Sequence, residues 1–282
     1  MQDYQRSVVF IRSVYAAITS LKLRFAGSPI EILYAGCGPF ATLLLPLLGR
    51  FIPGDLNITL LDIHQRSLRS VELLLEDFGF AAHAVKTIKG DACVYHHPQK
   101  LHLVIAETMQ KSLEQEPQFA VTANLAPQMV WQGIFIPQRI DITLALADLE
   151  KETVFYRNAN IQKQTSLDNR PRRYPIATLC SLSADNALAQ RQAAQHNAHT
   201  NKEELESTVI KIPLLDNISG LNVALFTRII VYQSYCLEDY EAEITLPLRC
   251  YELEPLYGGE RYAVSYQLGS YPKFNFTSLD AD

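Results

Sequence analysis

Between Glu31 and Asp62 the chain twice runs a short apolar stretch into residues that a plain hydrophobic core would not need at that point. EILYAGCGPF carries a buried strand into the glycine turn Gly36-Cys37-Gly38, and Asn57-Ile-Thr-Leu-Leu-Asp62 ends a second strand in an acid. The apolar run from Ala41 to Leu48 predicts a helix after the glycines, which makes a β-loop-α unit. Gln65 to Phe78 has helical spacing, with Leu68, Val71, Leu74, Leu75 and Phe78 on its inner face. Ala84 to Ile88 reads as a further strand, followed by the turn Lys89-Gly-Asp-Ala92, and Leu101 to Ala106 as another apolar strand running into acids. Alternating segments of this length predict an α/β domain with a doubly wound parallel sheet, whose ligands sit at the carboxyl ends of the strands. Ahead of it, Val8, Val9, Ile11, Val14, Tyr15, Ile18 and Leu21 fall at three- and four-residue steps, so an amphipathic helix is expected over Asp3 to Leu23.

The texture changes after Pro137. Ile140 to Leu146, Ser207 to Ile212, Asn222 to Tyr235, Tyr240 to Leu248 and Arg261 to Leu268 alternate or are β-branched, with Gly, Pro and Asp turns between them. This pattern predicts a mainly antiparallel β domain over 139–282, after a ligand-binding domain over 1–138. Residues 162–206 are polar and rich in Asn, Gln and Ala. They are expected to leave the β domain as an excursion, helical around Ala184 to His196, that is mobile or binds a partner.

A chain of 282 residues with 48% hydrophobic and 20% charged content can bury a sizeable core. Its net charge of −5 and pI near 5.8 exclude a protein that holds nucleic acid through a broad basic surface, and no nucleic-acid partner is expected. Cys37, Cys93, Cys180, Cys236 and Cys250 are odd in number and lack CxxC spacing, which suits free thiols in a reducing compartment, so a cytoplasmic protein is expected. The opening residues hold no apolar core of a signal peptide, and Ala41 to Leu48 is too short to span a bilayer, so no membrane partner is expected.

Gly36 and Gly38, at a strand-to-helix turn, let backbone approach a ligand closely, beside the amides of a helix N-terminus. Asp62, ending the next strand, is placed to accept hydrogen bonds from ribose hydroxyls, and Gly90-Asp91-Ala92 can meet an adenine edge. A nicotinamide or flavin dinucleotide would need a third glycine; Pro39 and Phe40 follow Gly38 instead, as a bulkier and less polar floor. No GK[ST] follows for a Walker loop.

These motifs resemble class I S-adenosylmethionine-dependent methyltransferases, and within them the protein arginine methyltransferases. The resemblance rests on Phe10-Ile-Arg12-Ser-Val-Tyr15-Ala-Ala-Ile18, Tyr34-Ala-Gly36-Cys-Gly38, Leu60-Leu-Asp62, Val104-Ile-Ala-Glu107-Thr-Met109 leading to Glu116, and Gly133-Ile-Phe-Ile-Pro137. It covers roughly residues 1–145 and continues weakly to the end. It implies a Rossmann-like domain followed by a barrel-like β domain, with S-adenosylmethionine as cofactor. Glu107 and Glu116, at the spacing of the family's double-E loop, would be the catalytic pair that clamps a nitrogen acceptor. The cofactor-binding residues expected are Arg12, matching a methionine carboxylate, with Gly36, Cys37, Gly38, Asp62, Ile63, Asp91, Ala92 and Glu107. No metal is expected.

The chain departs from the pattern at Tyr34, where an acid is usual, at Phe40 in place of a third glycine, and in lacking a Thr-His-Trp tripeptide. Nitrogen acceptors, on a protein, peptide or small molecule, therefore stand beside O-methylation of a small natural product and beside a non-catalytic subunit. Glu114 competes with Glu116 as the second loop carboxylate. A homodimer built through the 162–206 excursion is an expectation from the resembled family. His96, His97 and His102 cluster without an acid or Cys at ligand spacing, and Trp131 is expected in the core.

Overall fold

A computed structural model of the chain describes residues 3–162, 170–197, 202–269 and 271–279. A five-stranded parallel sheet comes first, in the order β3-β2-β1-β4-β5. Its strands are β1 (Ile30–Ala35), β2 (Leu56–Asp62), β3 (Ala84–Lys89), β4 (Leu101–Ala106) and β5 (Met129–Ile136). β1 takes the centre because Ile30, Ile32, Leu33 and Ala35 bury both of its faces, the nearly continuous apolar run that an inner parallel strand requires. The order reverses between β1 and β4, whose last residues Ala35 and Ala106 pair in register. Such a switch point opens a crevice at the carboxyl edge.

Helix α1 (Tyr4–Arg24) buries Val9, Phe10, Ser13, Val14, Ala17, Ile18 and Leu21. α2 (Gln65–Asp77) follows β2, with Leu68 and Val71 buried, whereas Phe78 just beyond it is exposed. α3 (Gln118–Leu125) precedes β5. The helix expected from Ala41 to Leu48 is instead a turn followed by a 3-10 helix, Leu45–Arg50, with Pro46 in its first turn. Leu43, Leu44, Leu45, Leu47 and Leu48 are all buried, so no polar face exists to orient a surface helix, and Pro46 withholds an amide from an α-helical ladder. The glycine turn consequently has no α-helix dipole behind it.

Past β5 the chain enters an antiparallel sheet of order β11-β10-β6-β7, through β6 (Arg139–Ala147), β7 (Arg173–Ser183), β10 (Asn222–Tyr232) and β11 (Tyr235–Leu237), with β12 (Leu248–Arg249) pairing β10. A second antiparallel sheet, β14-β13-β9-β8, comprises β8 (Gln195–Asn197), β9 (Lys202–Lys211), β13 (Arg261–Gln267) and β14 (Lys273–Ser278). α4 (Leu149–Gln162) follows β6, and α1 touches β10 and β11 as well as β1, β4 and β5, so it joins the two halves. Among the described residues no helix is long and apolar enough to cross a membrane.

The 162–206 segment is not a free excursion where it is described. β7 forms the edge of the first antiparallel sheet, paired along β6, and the short helix α5 (Ala187–Gln192) packs against α3 of the same chain. Arg173 supplies the reason: its guanidinium meets the fully buried Glu152 of α4 at 2.6 and 3.0 Å, contacts Asp239, and lies 3.7 Å from the Phe226 ring centre. Charge pairing thus orders a segment whose composition is polar. Residues 163–169 and 198–201 of the expected excursion lie outside the described residues. The strand expected over Tyr240 to Leu248 is a turn with a 3-10 helix at Glu243–Thr245. Tyr240 is left-handed at φ 64°, and the Thr245 hydroxyl accepts from the Ala242 amide at 3.0 Å and closes the turn. Trp131 is 88% exposed rather than in the core, because the β4–β5 register shifts between Leu101 and Leu103 and Gln132 turns left-handed beside it.

Candidate active site

The crevice at the switch point has a volume of about 720 Å³. Gly36, Leu61, Asp62, Ile63 and His64 form its floor at the ends of β1 and β2; Gly90 to Cys93 follow β3, and Glu107 and Thr108 follow β4. Glu116, Pro117, Phe119, Ala120 and Val121 continue the wall, while Arg191, Glu203, Leu268 and Gly269 close it from the β half.

Three loops are knitted to the tip of β2. The Gly36 amide donates to the Leu61 carbonyl at 2.8 Å, and the Gly90 amide to the Asp62 carbonyl at 3.0 Å. The Asp62 carboxylate is 7% exposed and accepts one backbone amide on each oxygen: Gly38 on Oδ2 at 2.9 Å, His64 on Oδ1 at 2.8 Å. Each oxygen retains a second lone pair. Asp62 therefore shapes the glycine turn as well as presenting acceptors to the crevice.

Gly36 has φ +69°, and a Cβ there would come within 2.6 Å of Thr108 Cγ2. Thr108 has little room to retreat, since its amide and hydroxyl both donate to Gln118 Oε1, at 2.8 and 2.9 Å. Gly36→Ala is expected to lower stability by at least about 1–2 kcal/mol from the left-handed backbone alone, measured by urea denaturation. A loss under half of that would show that the turn relaxes.

On the β3 side, Asp91 Oδ1 accepts the Cys93 amide at 2.8 Å, and Asn124 Nδ2 donates to the carbonyls of Ala92 and Tyr95, each at 2.9 Å. α3 thereby holds the Gly90–Tyr95 loop open toward the crevice. Burial pushes the thiols of Cys37 and Cys93 up to about 12, which keeps both protonated near neutral pH.

Glu107 Oε1 pairs with the Arg6 guanidinium, which also bonds Asp3 Oδ2 at 3.0 Å. Glu116 lines the crevice and accepts Gln110 Nε2 at 3.0 Å. Glu114 turns away, its Oε1 accepting the Phe274 amide at 3.2 Å, so Glu116 is the loop carboxylate that faces the cavity. Burial pushes the Glu114 carboxyl above its usual range, against the smaller opposing effect of the Phe274 amide. A raised folded pKa contributes stability that is complete below the unfolded value and is lost as pH climbs through the raised one. Glu114→Gln keeps an oxygen for Phe274 without titrating. Its stability relative to the parent should therefore rise as pH climbs above about 4 in urea denaturation, and a pH-independent difference would contradict this.

Of the residues expected at the site, Gly36, Asp62, Ile63, Asp91, Ala92, Glu107 and Glu116 are on the crevice wall. Gly38 lies behind it with its amide bonded to Asp62, and Cys37 is buried beneath the turn. Phe40 is 63% exposed and makes no floor. Arg12 is exposed and absent from the wall; Arg6 is the α1 cation at the site. Helical spacing carried that signal: Arg6 continues the inward stripe of Val9, Phe10, Ser13 and Ala17, whereas Arg12 shares the outer side with Tyr15 and Thr19. His64, Thr108, Arg191 and Glu203 were also not anticipated, the last two because they reach the crevice only through long-range packing. Of the clustered histidines, His102 Nδ1 accepts the Glu31 amide at 3.0 Å and His97 bonds Thr59 and Gln99, both within ordinary packing.

No family model matches the chain, and no curated protein matches it. Among solved structures it is similar to protein arginine methyltransferase 10 of Arabidopsis thaliana, described in a uniquely open conformation. That likeness has a TM-score of 0.56 at 11% identity, over 94% of this chain and 85% of that one. It is similar also to the protein arginine methyltransferase 1 enzyme–prozyme heterotetrameric complex with AdoHcy of Trypanosoma brucei, with a TM-score of 0.52 at 13% identity, over 94% of this chain and 84% of that one. At these identities the likeness is one of fold: a Rossmann-like parallel sheet followed by an antiparallel β half.

Proposed function

We propose that this chain is an S-adenosylmethionine-dependent methyltransferase whose acceptor is the nitrogen of a cationic guanidino or amino group on a protein, peptide or small molecule. The observation that carries this reading is the charge of the crevice. Among the described residues Asp62, Asp91, Glu107, Glu116 and Glu203 line it, against the Arg191 guanidinium in the wall and that of Arg6, which pairs with Glu107. A pyrophosphate would find no lysine there and no α-helix N-terminus behind the glycine turn. A cationic sulfonium nucleoside and a cationic acceptor suit the same walls. The structural neighbour described with AdoHcy supports the cofactor half of the reading.

The residues present fit such a cofactor. Asp62 would take the ribose hydroxyls on its remaining lone pairs, Asp91 and Ala92 the adenine edge, and Arg6 the amino-acid carboxylate in place of Arg12. When bound, S-adenosylmethionine supplies an electrophilic methyl group. Glu107 and Glu116 bind the acceptor cation through charge-assisted hydrogen bonds, which fixes the rotation of its nitrogen. Phe119 and Leu268 bring apolar surface to the same cavity and limit water beside the reacting atoms. A labelled-methyl assay over an arginine peptide, free arginine, primary amines and phenols tests the reading. Label on a cationic nitrogen compound is expected; label only on hydroxyl acceptors would contradict it.

A further inference from the structure

The loop that carries Glu116 is built from strained backbone. Ser112, Leu113 and Gln115 are all left-handed, at φ 57°, 61° and 69°, although none is glycine. Side chains of this kind hold such a conformation only when their surroundings over-determine it. Here the surroundings belong to the β half. The Thr227 hydroxyl of β10 accepts the Ser112 amide at 3.2 Å; the Gln115 amide donates to the Pro272 carbonyl at 2.9 Å; the Phe274 amide of β14 donates to Glu114 Oε1. The shortest contact is the phenol of Tyr266, on β13, donating to the Leu113 carbonyl at 2.6 Å. Tyr266 is 3% exposed, and its ring lies 6.0 Å from that of Phe119 on the crevice wall and 4.8 Å from that of Phe274.

We infer that Tyr266 is a positioning residue for methyl transfer: its phenol pins the left-handed turn at Leu113 and so aims Glu116 into the crevice. This rests on the reading of Glu107 and Glu116 as the acceptor-holding pair. Burial also keeps the phenol protonated, hence a donor, throughout the pH range in which the protein would work. Tyr266 does not itself line the crevice; it acts through the loop. The C-terminal hairpin of β13 and β14 is on this account part of what positions the loop carboxylate, because its hydrogen bonds to Leu113, Glu114 and Gln115 hold the backbone that leads into Glu116.

Tyr266→Phe keeps the ring and removes the donor, and Thr227→Val does the same for the Ser112 anchor should the first variant fold poorly. Three quantities are read on the whole chain: kcat in the labelled-methyl assay, the Kd for S-adenosylhomocysteine by calorimetry, and amide hydrogen exchange over 110–116 with α2 as the internal control. The expected result is a kcat lower by about ten- to a hundredfold, an unchanged Kd within about twofold, and exchange in the loop faster by roughly tenfold with α2 unaffected. A kcat within about twofold of the parent, a Kd that weakens as much as kcat, or unchanged loop exchange would overturn the inference. If the parent labels no nitrogen acceptor, the functional reading fails by itself, and the exchange measurement alone then decides whether the phenol pins the loop.

Discussion

Asp62→Ala is expected to weaken S-adenosylhomocysteine binding by at least about a hundredfold, with the fold retained by circular dichroism. Two losses combine. The bonds from the Gly38 and His64 amides disappear, so the glycine turn loses the anchor that shapes it. The acceptors assigned to the ribose disappear as well. Hydrogen bonds to a charged group contribute about 1.5–3 kcal/mol each, so any two of these suffice for the stated effect. Asp62→Asn keeps one oxygen and converts the other to a donor facing a backbone amide, and its loss should lie between those of the parent and the alanine variant. Binding within about fivefold of the parent in Asp62→Ala would remove this carboxylate from the site.

Glu107→Gln and Glu116→Gln should each lower kcat by about a hundredfold or more, while Glu116→Gln leaves nucleoside affinity nearly unchanged. A neutral amide of the same shape keeps an acceptor oxygen but no longer offers a charge-assisted bond to a cation, and its amino group opposes one of the acceptor's N–H groups. Glu107→Gln carries a further consequence, because Arg6 would keep only Asp3 as its ionic partner. The double variant should fall little below the worse single one, as expected of two groups that act as one clamp. Rates near the parent's in both single variants would show that the pair does not hold the acceptor.

Much of the parallel half was legible because its signals are local. Each apolar run that becomes an inner strand ends at a residue of unusual type, and Asp62 could be placed at a strand tip from the sequence alone. β4 was bounded at Leu101 and Ala106 as it is in the structure. The stretch from Ala41 to Leu48 has apolar content without a helical period: its leucines are buried on every side, and a 3-10 helix serves as well as an α-helix there. The β half was harder to bound. β7 begins in a polar segment whose order comes from Arg173 and Glu152, residues 21 positions apart, and nothing local announces that pairing. Arg12 and Arg6 differ only in which side of one helix they occupy, and the inward stripe distinguishes them once Phe10 and Ser13 are counted with it. The outer wall of the crevice, Arg191 and Glu203, depends on how α5 and β9 pack, which no motif encodes.

A crystal structure of the chain grown with S-adenosylhomocysteine is the most direct measurement. The nucleoside should lie over Gly36 with its ribose hydroxyls on the Asp62 carboxylate, its adenine beside Asp91 and Ala92, and its sulfur toward Glu107. Density for the nucleoside elsewhere, or a crevice closed by side chains at saturating ligand, would contradict the account.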